Sequence, residues 1–223
     1  MIVYGRQPVA ELLRAGRRRA LRVWAAKDPG VPFTHASSEE LTRLAGTDAH
    51  QGVVAEAEPY HYVHAAELLG RDGLVIVLDE VQDPQNLGAI CRTAEVAGAL
   101  GVVIHDRRAA EVTPAVCKAS AGAVEYLAIA RVRNIADFLG EAKEAGFWCY
   151  GAAASGSVSC FDVEWPARAA LVLGAEGKGI RPRVAKACDE LVSVPMRGRL
   201  ESLNVSATAA VLTYLALQRE FRP

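Results

Sequence analysis

From residue 74 onward the chain alternates short apolar runs with helical segments, and this alternation limits the fold more than any other feature. Leu74-Val-Ile-Val-Leu78 is a strand with no polar side chain. The segments 101–104, 127–132, 147–150, 169–173 and 191–194 read as further strands. Segments 87–99, 113–122, 135–145 and 183–188 read as helices, and 204–219 as a closing helix. Thr113 is placed to cap its helix, with Pro114 at the first position. Strands that are apolar on both faces belong in a parallel sheet covered by helices on both sides. Ligands in such α/β folds bind beyond the carboxyl ends of the strands. The loops beginning at Asp79, Gly151, Gly174 and Pro195 are therefore where chemistry is expected.

The first part of the chain is less regular. It offers a short helix over 9–13, a strand over 21–25, a helix opened by Ser37-Ser38-Glu39-Glu40, and a strand over 52–55. A mixed polar stretch follows, with Pro59 inside it. Residues 1–30 hold seven basic side chains against two acidic ones, and Arg17-Arg18-Arg19 is contiguous. The triplet is either a solvated loop or an anchor for phosphates. The whole chain is balanced, with 25 Lys+Arg against 26 Asp+Glu, so any polyanion must be met locally.

Composition excludes several classes. At 51% hydrophobic and 23% charged, the 223 residues are those of a globular protein. The longest apolar-plus-glycine run near the middle, 96–104, falls far short of the roughly 20 residues of a membrane span. The N-terminus lacks a signal-peptide pattern. Cys91, Cys117, Cys149, Cys160 and Cys188 show no CxxC spacing, which points to reduced thiols in the cytoplasm and to no metal site.

Three loops carry polar residues that the sheet alone does not require. The first, Asp79 through Arg92, contains Asn86 at an expected helix cap and Arg92 in a small, apolar helix. A buried arginine there needs a partner, either a carboxylate such as Asp79 or Glu95, or the phosphate or carboxylate of a ligand. The second, Leu173-Gly-Ala-Glu-Gly-Lys-Gly-Ile180, has three glycines in six residues, so a ligand can approach its backbone closely. It is neither a P-loop nor a dinucleotide fingerprint, because Val172 and Pro182 stand where glycines are required. The third runs Val194-Pro-Met-Arg-Gly-Arg-Leu-Glu-Ser-Leu-Asn-Val-Ser206, with Asn204 at a helix start.

Taken in order and at these spacings, the three loops resemble the motifs of SpoU-type (TrmH-like) RNA ribose 2′-O-methyltransferases: DPQNLGAICRTAEVAG, LGAEGKGI, and VPM followed by SLNVS. The resemblance spans 74–223. The first 60 residues resemble the small RNA-binding domain that precedes such catalytic domains, through Tyr4-Gly5 and His50-Gln-Gly-Val53. The segment between Ala25 and Ser37 lacks roughly a helix's worth of sequence. The implied organisation is a shortened substrate-binding domain at 1–60, a linker at 61–73 and a catalytic domain at 74–223.

The resemblance implies an α/β fold whose C-terminal part threads a deep trefoil knot, and a homodimer with its site completed across the interface. It implies S-adenosylmethionine held largely by backbone at Gly174, Val194 and Leu203, with Ala153, Glu176 and Met196 nearby. Arg92 is then the base or activator of a ribose hydroxyl. Because arginine stays protonated in proteins, orienting the hydroxyl or clamping a phosphate suits it better. Asn86, Ser202 and Asn204 would position the ribose, the phosphate or Arg92, and Glu176 would order the cofactor loop. Arg17, Arg18, Arg19, Arg197 and Arg199 would meet RNA phosphates. No metal is required, since the transfer neutralises charge. The expected substrate is a guanosine of large-subunit (23S) ribosomal RNA, with tRNA as the alternative. A binding-only protein of the same fold and a different nucleotide-using α/β enzyme are the rival classes. The intact polar set argues against the first, and the missing GxGxxG, P-loop and GxSxG motifs argue against the second.

Overall fold

The computed structural model describes residues 1–221, apart from the Glu220 side chain. The first strands are β1 (Ile2–Tyr4), β2 (Ala20–Ala25), β3 (Thr34–His35) and β4 (Val53–Ala57), forming a sheet of order β1-β4-β2-β3. Helix α1 (Arg6–Ala15) lies against one face and α2 (Ser38–Ala45) against the other. Ser37 and Glu40 close the expected capping box on α2. The missing helix has a visible consequence. β3 pairs directly and in parallel with β2, Trp24 opposite Thr34, through a connection without a helix.

The larger sheet comprises β5 (Gly73–Asp79), β6 (Gly101–His105), β7 (Ile129–Val132), β8 (Trp148–Ala152), β9 (Val158–Ser159), β10 (Arg168–Gly174) and β11 (Glu190–Ser193). Its order is β7-β6-β5-β10-β8-β11-β9, and every pairing is parallel. The chain winds outward from β5 through β6 to β7, then crosses to the other side of β5 to lay down β8. The order therefore reverses between β5 and β10, and this is the switch point where such sheets open a crevice.

Alternation along β5 explains why both faces are covered. Leu74, Ile76 and Leu78 point to α3 (Pro84–Ala97), α4 (Pro114–Ala119) and α7 (Val205–Ala216). Val75 and Val77 point to α5 (Ile135–Glu144) and α6 (Pro182–Ala187). Thr113 and Pro114 stand at the start of α4 as expected. Gly88 lets α3 and α4 touch, because a Cβ there would lie 2.4 Å from the Ala119 methyl.

The first core continues into the small sheet through Val3, Leu12, Val23, Val53 and Ala55. The segment after β4 is not a free tether. The Tyr60 hydroxyl donates to the Leu127 carbonyl at 3.0 Å, and Val63 bridges Ala130 beside β7. A short 3-10 turn at Ala65–Leu69 then leads into β5.

Candidate active site at the switch point

β5 and β10 end side by side, with Asp79 opposite Gly174. The loop after β5 leads into α3, which is capped by Asp83 rather than by Asn86: the Asp83 carboxylate accepts from the Gln85 N–H at 2.9 Å. Asn86 occupies the third helical position and is buried. Freed from capping, its amide reaches sideways. Nδ2 donates to Asp83 Oδ2 at 3.3 Å and to Glu176 Oε1.

Asn204 completes the junction. It caps α7, where its Oδ1 accepts from the Ser206 N–H at 2.8 Å. That bond turns Nδ2 outward, to Asn86 Oδ1 at 3.1 Å and Glu176 Oε1 at 2.9 Å. Asn86, Glu176 and Asn204 thus tie together the loops after β5, after β10 and before α7. One carboxylate oxygen gathers two amide N–H groups, a charge-assisted arrangement that fixes all three loops.

The glycine loop is braced from two sides. A Cβ on Gly174 would lie 2.0 Å from the Gly179 carbonyl carbon, so the loop folds back on itself only because residue 174 has no side chain. Gly177 and Gly179 take φ of 74° and 66°, the left-handed region that glycine enters at little cost. At its far end the Arg181 N–H and Nε each donate to the Asp79 carboxylate at 2.8 Å. Asp79 is fully buried, and an unpaired carboxylate there would be costly. The hydrogen bond to Asp79 raises the Arg181 pKa above its ordinary value. The partner offered for Arg92 from sequence, Asp79, is therefore taken by Arg181. A polar residue ending an otherwise apolar strand was the one signal that could have found this pair.

Arg92 departs from expectation. It is exposed on α3, with Val96 one turn along at 62% exposure, and makes no ion pair among the described residues. The buried positions Ile90, Cys91 and Ala94 lie on the other face of the helix. Reading the helix as small and apolar all round hid this face.

The residues expected at the cofactor leave three neighbouring strands at one edge. Ala153 follows β8, Gly174 ends β10 and Val194 follows β11. The Ala153 N–H donates to the Val192 carbonyl at 2.9 Å. Met196 and Leu203 are 38% and 42% exposed, and Leu203 directly precedes Asn204, which bonds to Glu176 of the glycine loop. Ser202 is exposed, as are Arg197 and Arg199. Among the described residues no cluster of His, Cys, Asp or Glu could hold a metal ion, and no helix is long and apolar enough to cross a membrane.

The basic triplet splits. Arg17 and Arg19 are exposed, but Arg18 is 5% exposed and cannot anchor RNA. Its guanidinium grips Glu125 and donates to the Glu58 carbonyl at 2.9 Å.

Comparison with known proteins identifies this architecture. Residues 73–214 match the SpoU rRNA Methylase family, and residues 24–63 match the RNA 2′-O ribose methyltransferase substrate-binding family. The chain belongs to the SpoU rRNA methylase family. A Bacillus subtilis protein named as a TrmH family tRNA/rRNA methyltransferase, YacO, is 37% identical over 95% of this chain and 93% of its own. A TrmH-family structure from Porphyromonas gingivalis superposes with a TM-score of 0.81 at 28% identity, over 98% of this chain and 89% of that one. An AdoMet-bound rRNA methyltransferase from Sinorhizobium meliloti shares the fold at TM-score 0.85 and 23% identity, over 100% of this chain and 88% of that one. The knot expected from the sequence belongs to this SpoU fold. In the present SpoU member the chain lays down β10 between β5 and β8 after β9, then β11 between β8 and β9, and then packs α7 on α3 and β10.

Proposed function

We propose that this SpoU family member transfers a methyl group from S-adenosylmethionine to a ribose 2′-hydroxyl of RNA, at a guanosine of large-subunit ribosomal RNA. The observation that carries this reading is the Asn86–Glu176–Asn204 junction, which locks the three motif loops at the switch point. The P. gingivalis and S. meliloti structures align over 98% and 100% of this chain, so its likeness to them runs through the small N-terminal domain as well.

The residues present fit the cofactor. The glycine loop brings backbone close to the crevice, and half-exposed Val194, Met196 and Leu203 offer apolar contact to an adenine ring and a thioether-like arm. When bound, S-adenosylmethionine supplies a methyl group already activated on a sulfonium. The protein's part is then alignment, worth up to roughly 7–11 kcal/mol in well-oriented reactions. Glu176 holds the glycine loop against α3 and α7. Arg92, whose planar fork suits a phosphate or a hydroxyl oxygen, orients the attacking ribose. Ser202, exposed in the third loop two residues before Asn204, positions the nucleotide.

Helix α3 packs on α7, whose Tyr214 stacks on Phe221 at 5.4 Å, and Val96, Tyr214 and Phe221 stand 62%, 45% and 51% exposed. A second copy covering this apolar surface would complete the site, which makes the active species a homodimer. Arg17, Arg19, Arg197 and Arg199 supply contacts to RNA phosphates, and the scattered free cysteines suit the cytoplasm.

The deciding experiment is transfer of a labelled methyl group to total RNA from cells lacking the enzyme, followed by separation by size. Label in large ribosomal RNA is expected. Label in tRNA moves the substrate and keeps the chemistry. No label together with no binding of S-adenosylmethionine by the folded protein overturns the reading.

A further inference from the structure

A second basic site lies on the same edge of the sheet, where the chain leaves the glycine loop at Arg181. The loops after β6 and β7 and the start of α6 enclose a cleft of about 230 Å³ lined by His105, Arg108, Arg133, Asn134, Arg181 and Arg183. Four arginines from three separate segments converge there. Neither the basic triplet nor the third motif contributes to it.

The cleft's charges are unequally committed. Arg181 is the fixed wall, pinned by buried Asp79 and touching Glu80 at 3.2 Å. Arg108 meets Glu80 and Arg183 meets Asp137 through single contacts of 3.2 and 3.3 Å, with side chains 62% and 76% exposed. Such exposed pairs contribute little and yield readily to a better anion. Arg133 is exposed and forms no ion pair among the described residues. His105 lies 3.3 Å from Asp106. Asn134 caps the ten-residue α5, so that helix also directs its positive end toward the cleft. Separate guanidiniums on a concave, solvent-open surface match consecutive phosphodiesters better than a single small anion.

The cleft is coupled to the junction through one loop. Asp79 and Glu80 hold its arginines, and Asp83, three residues on, holds Asn86. We propose that this cleft binds the phosphodiester backbone of the RNA substrate outside the methylated nucleotide, with Arg133 and Arg183 as its principal contacts and Arg181 as its fixed frame. The proposal rests on the RNA methyl-transfer reading above. It adds a binding track on the β6–β7 side of the switch point, opposite the cofactor strands.

The test compares Arg133→Ala, Arg183→Ala and the double variant with wild type, using unmodified large-subunit ribosomal RNA from cells lacking the enzyme. Binding is followed across a salt series. Each single variant should weaken binding about tenfold, the weight of one charge-assisted contact. Each should also reduce the slope of log K against log salt by about one. In methyl transfer the KM for RNA should rise, while affinity for S-adenosylmethionine stays at the wild-type value. Arg71→Ala removes an exposed arginine just before β5, at the opposite edge of the sheet, and should change none of these. Should the double variant unfold, Arg133→Glu alone carries the test through a larger loss of binding. Wild-type binding and slope in the variants, or an equal loss in Arg71→Ala, would overturn the cleft while leaving methyl transfer intact. Absence of methyl transfer by the wild-type enzyme would instead remove the reading on which the cleft depends.

Discussion

The Arg18 guanidinium closes on the Glu125 carboxylate through two hydrogen bonds, of 2.8 and 2.6 Å, between side chains that are 3% and 2% exposed. One residue comes from the bend before β2 of the small sheet and the other from the part that carries the larger sheet, 107 positions apart. The pair seals the two halves of the chain into one body, with Tyr60 beneath the guanidinium at 5.8 Å. Arg18→Ala would strand a buried carboxylate, and breaking such a pair costs about 3–5 kcal/mol. The melting temperature should fall by about 10 °C or more, whereas Arg17→Ala should leave it near wild type. A melt of Arg18→Ala indistinguishable from that of Arg17→Ala would refute the keystone role.

Asn204 serves two roles that one substitution can separate. Asn204→Asp keeps an oxygen for the α7 cap, since aspartate caps as well as asparagine. It replaces the donor facing Glu176 with a second negative oxygen. Thermal stability should stay within about 1 kcal/mol of wild type, while methyl transfer drops at least about tenfold because the loops part. Wild-type turnover in this variant would reduce Asn204 to a helix cap.

Much of this was legible in the chain. Apolar alternation located the central strands and helices, because strands buried on both faces admit few polar residues. Ser37-Glu40 and Thr113-Pro114 marked their helix starts through local chemistry. Asn86, Glu176 and Asn204 stood out as polar residues in loops. What stayed hidden depended on pairing across long sequence separations. Arg18 read as part of a triplet that was either solvated or bound to phosphates, because nothing near it in sequence announces Glu125. Arg181 carries no signal in the sequence that would single it out, and Asp79 was offered to Arg92 instead, beside Glu95. Strands β3 and β9 have two residues each and carry no periodicity to detect. Asp83 displaced Asn86 as the cap because Pro84 starts the helix three positions earlier than the apolar pattern suggested.

Gly174→Ala should abolish the glycine loop's conformation. The added methyl would lie within 2.3 Å of three backbone atoms of Gly179 and Ile180. Backbone cannot yield as a flexible side chain does, so the loop must open. Affinity for S-adenosylmethionine, measured by calorimetry, should fall at least about tenfold, the equivalent of one lost charge-assisted contact. Gly177→Ala is the matched control. Its φ of 74° costs about 1–2 kcal/mol, but no atom lies within 4 Å of the new methyl. Equal losses from the two substitutions would show that backbone conformation, not close approach, governs the loop.

Acid should loosen the seam between α1 and the catalytic part. Glu11 is 8% exposed and accepts from the Tyr126 hydroxyl at 2.7 Å. That hydrogen bond, ahead of those from Arg14 and Gln7, holds its carboxyl below the ordinary value. The sign follows directly. A carboxyl with a lowered folded pKa adds stability above its unfolded value near 4.3, and loses it as pH falls through the folded value. Tyr126→Phe should cost about 1 kcal/mol at neutral pH and flatten the acid limb of melting temperature against pH. Parallel acid limbs in the two proteins would remove Tyr126 as the cause.

Arg92→Lys addresses the reaction itself. The side chain is exposed and pairs with no described residue, so stability should change by no more than about 0.5 kcal/mol. S-adenosylmethionine affinity should also hold, because the residues proposed for the cofactor lie at the ends of β8, β10 and β11, not on α3. What changes is geometry: lysine keeps the positive charge but offers a single rotating ammonium in place of a planar fork. If Arg92 orients the ribose hydroxyl, turnover at saturating RNA should fall by about 10²-fold, as when a positioned donor is removed elsewhere. If it only supplies charge to a phosphate, the KM for RNA should rise and turnover should survive. Measuring both parameters on the same preparation separates an orienting group from a simple phosphate contact, and unchanged values for both would remove Arg92 from the site.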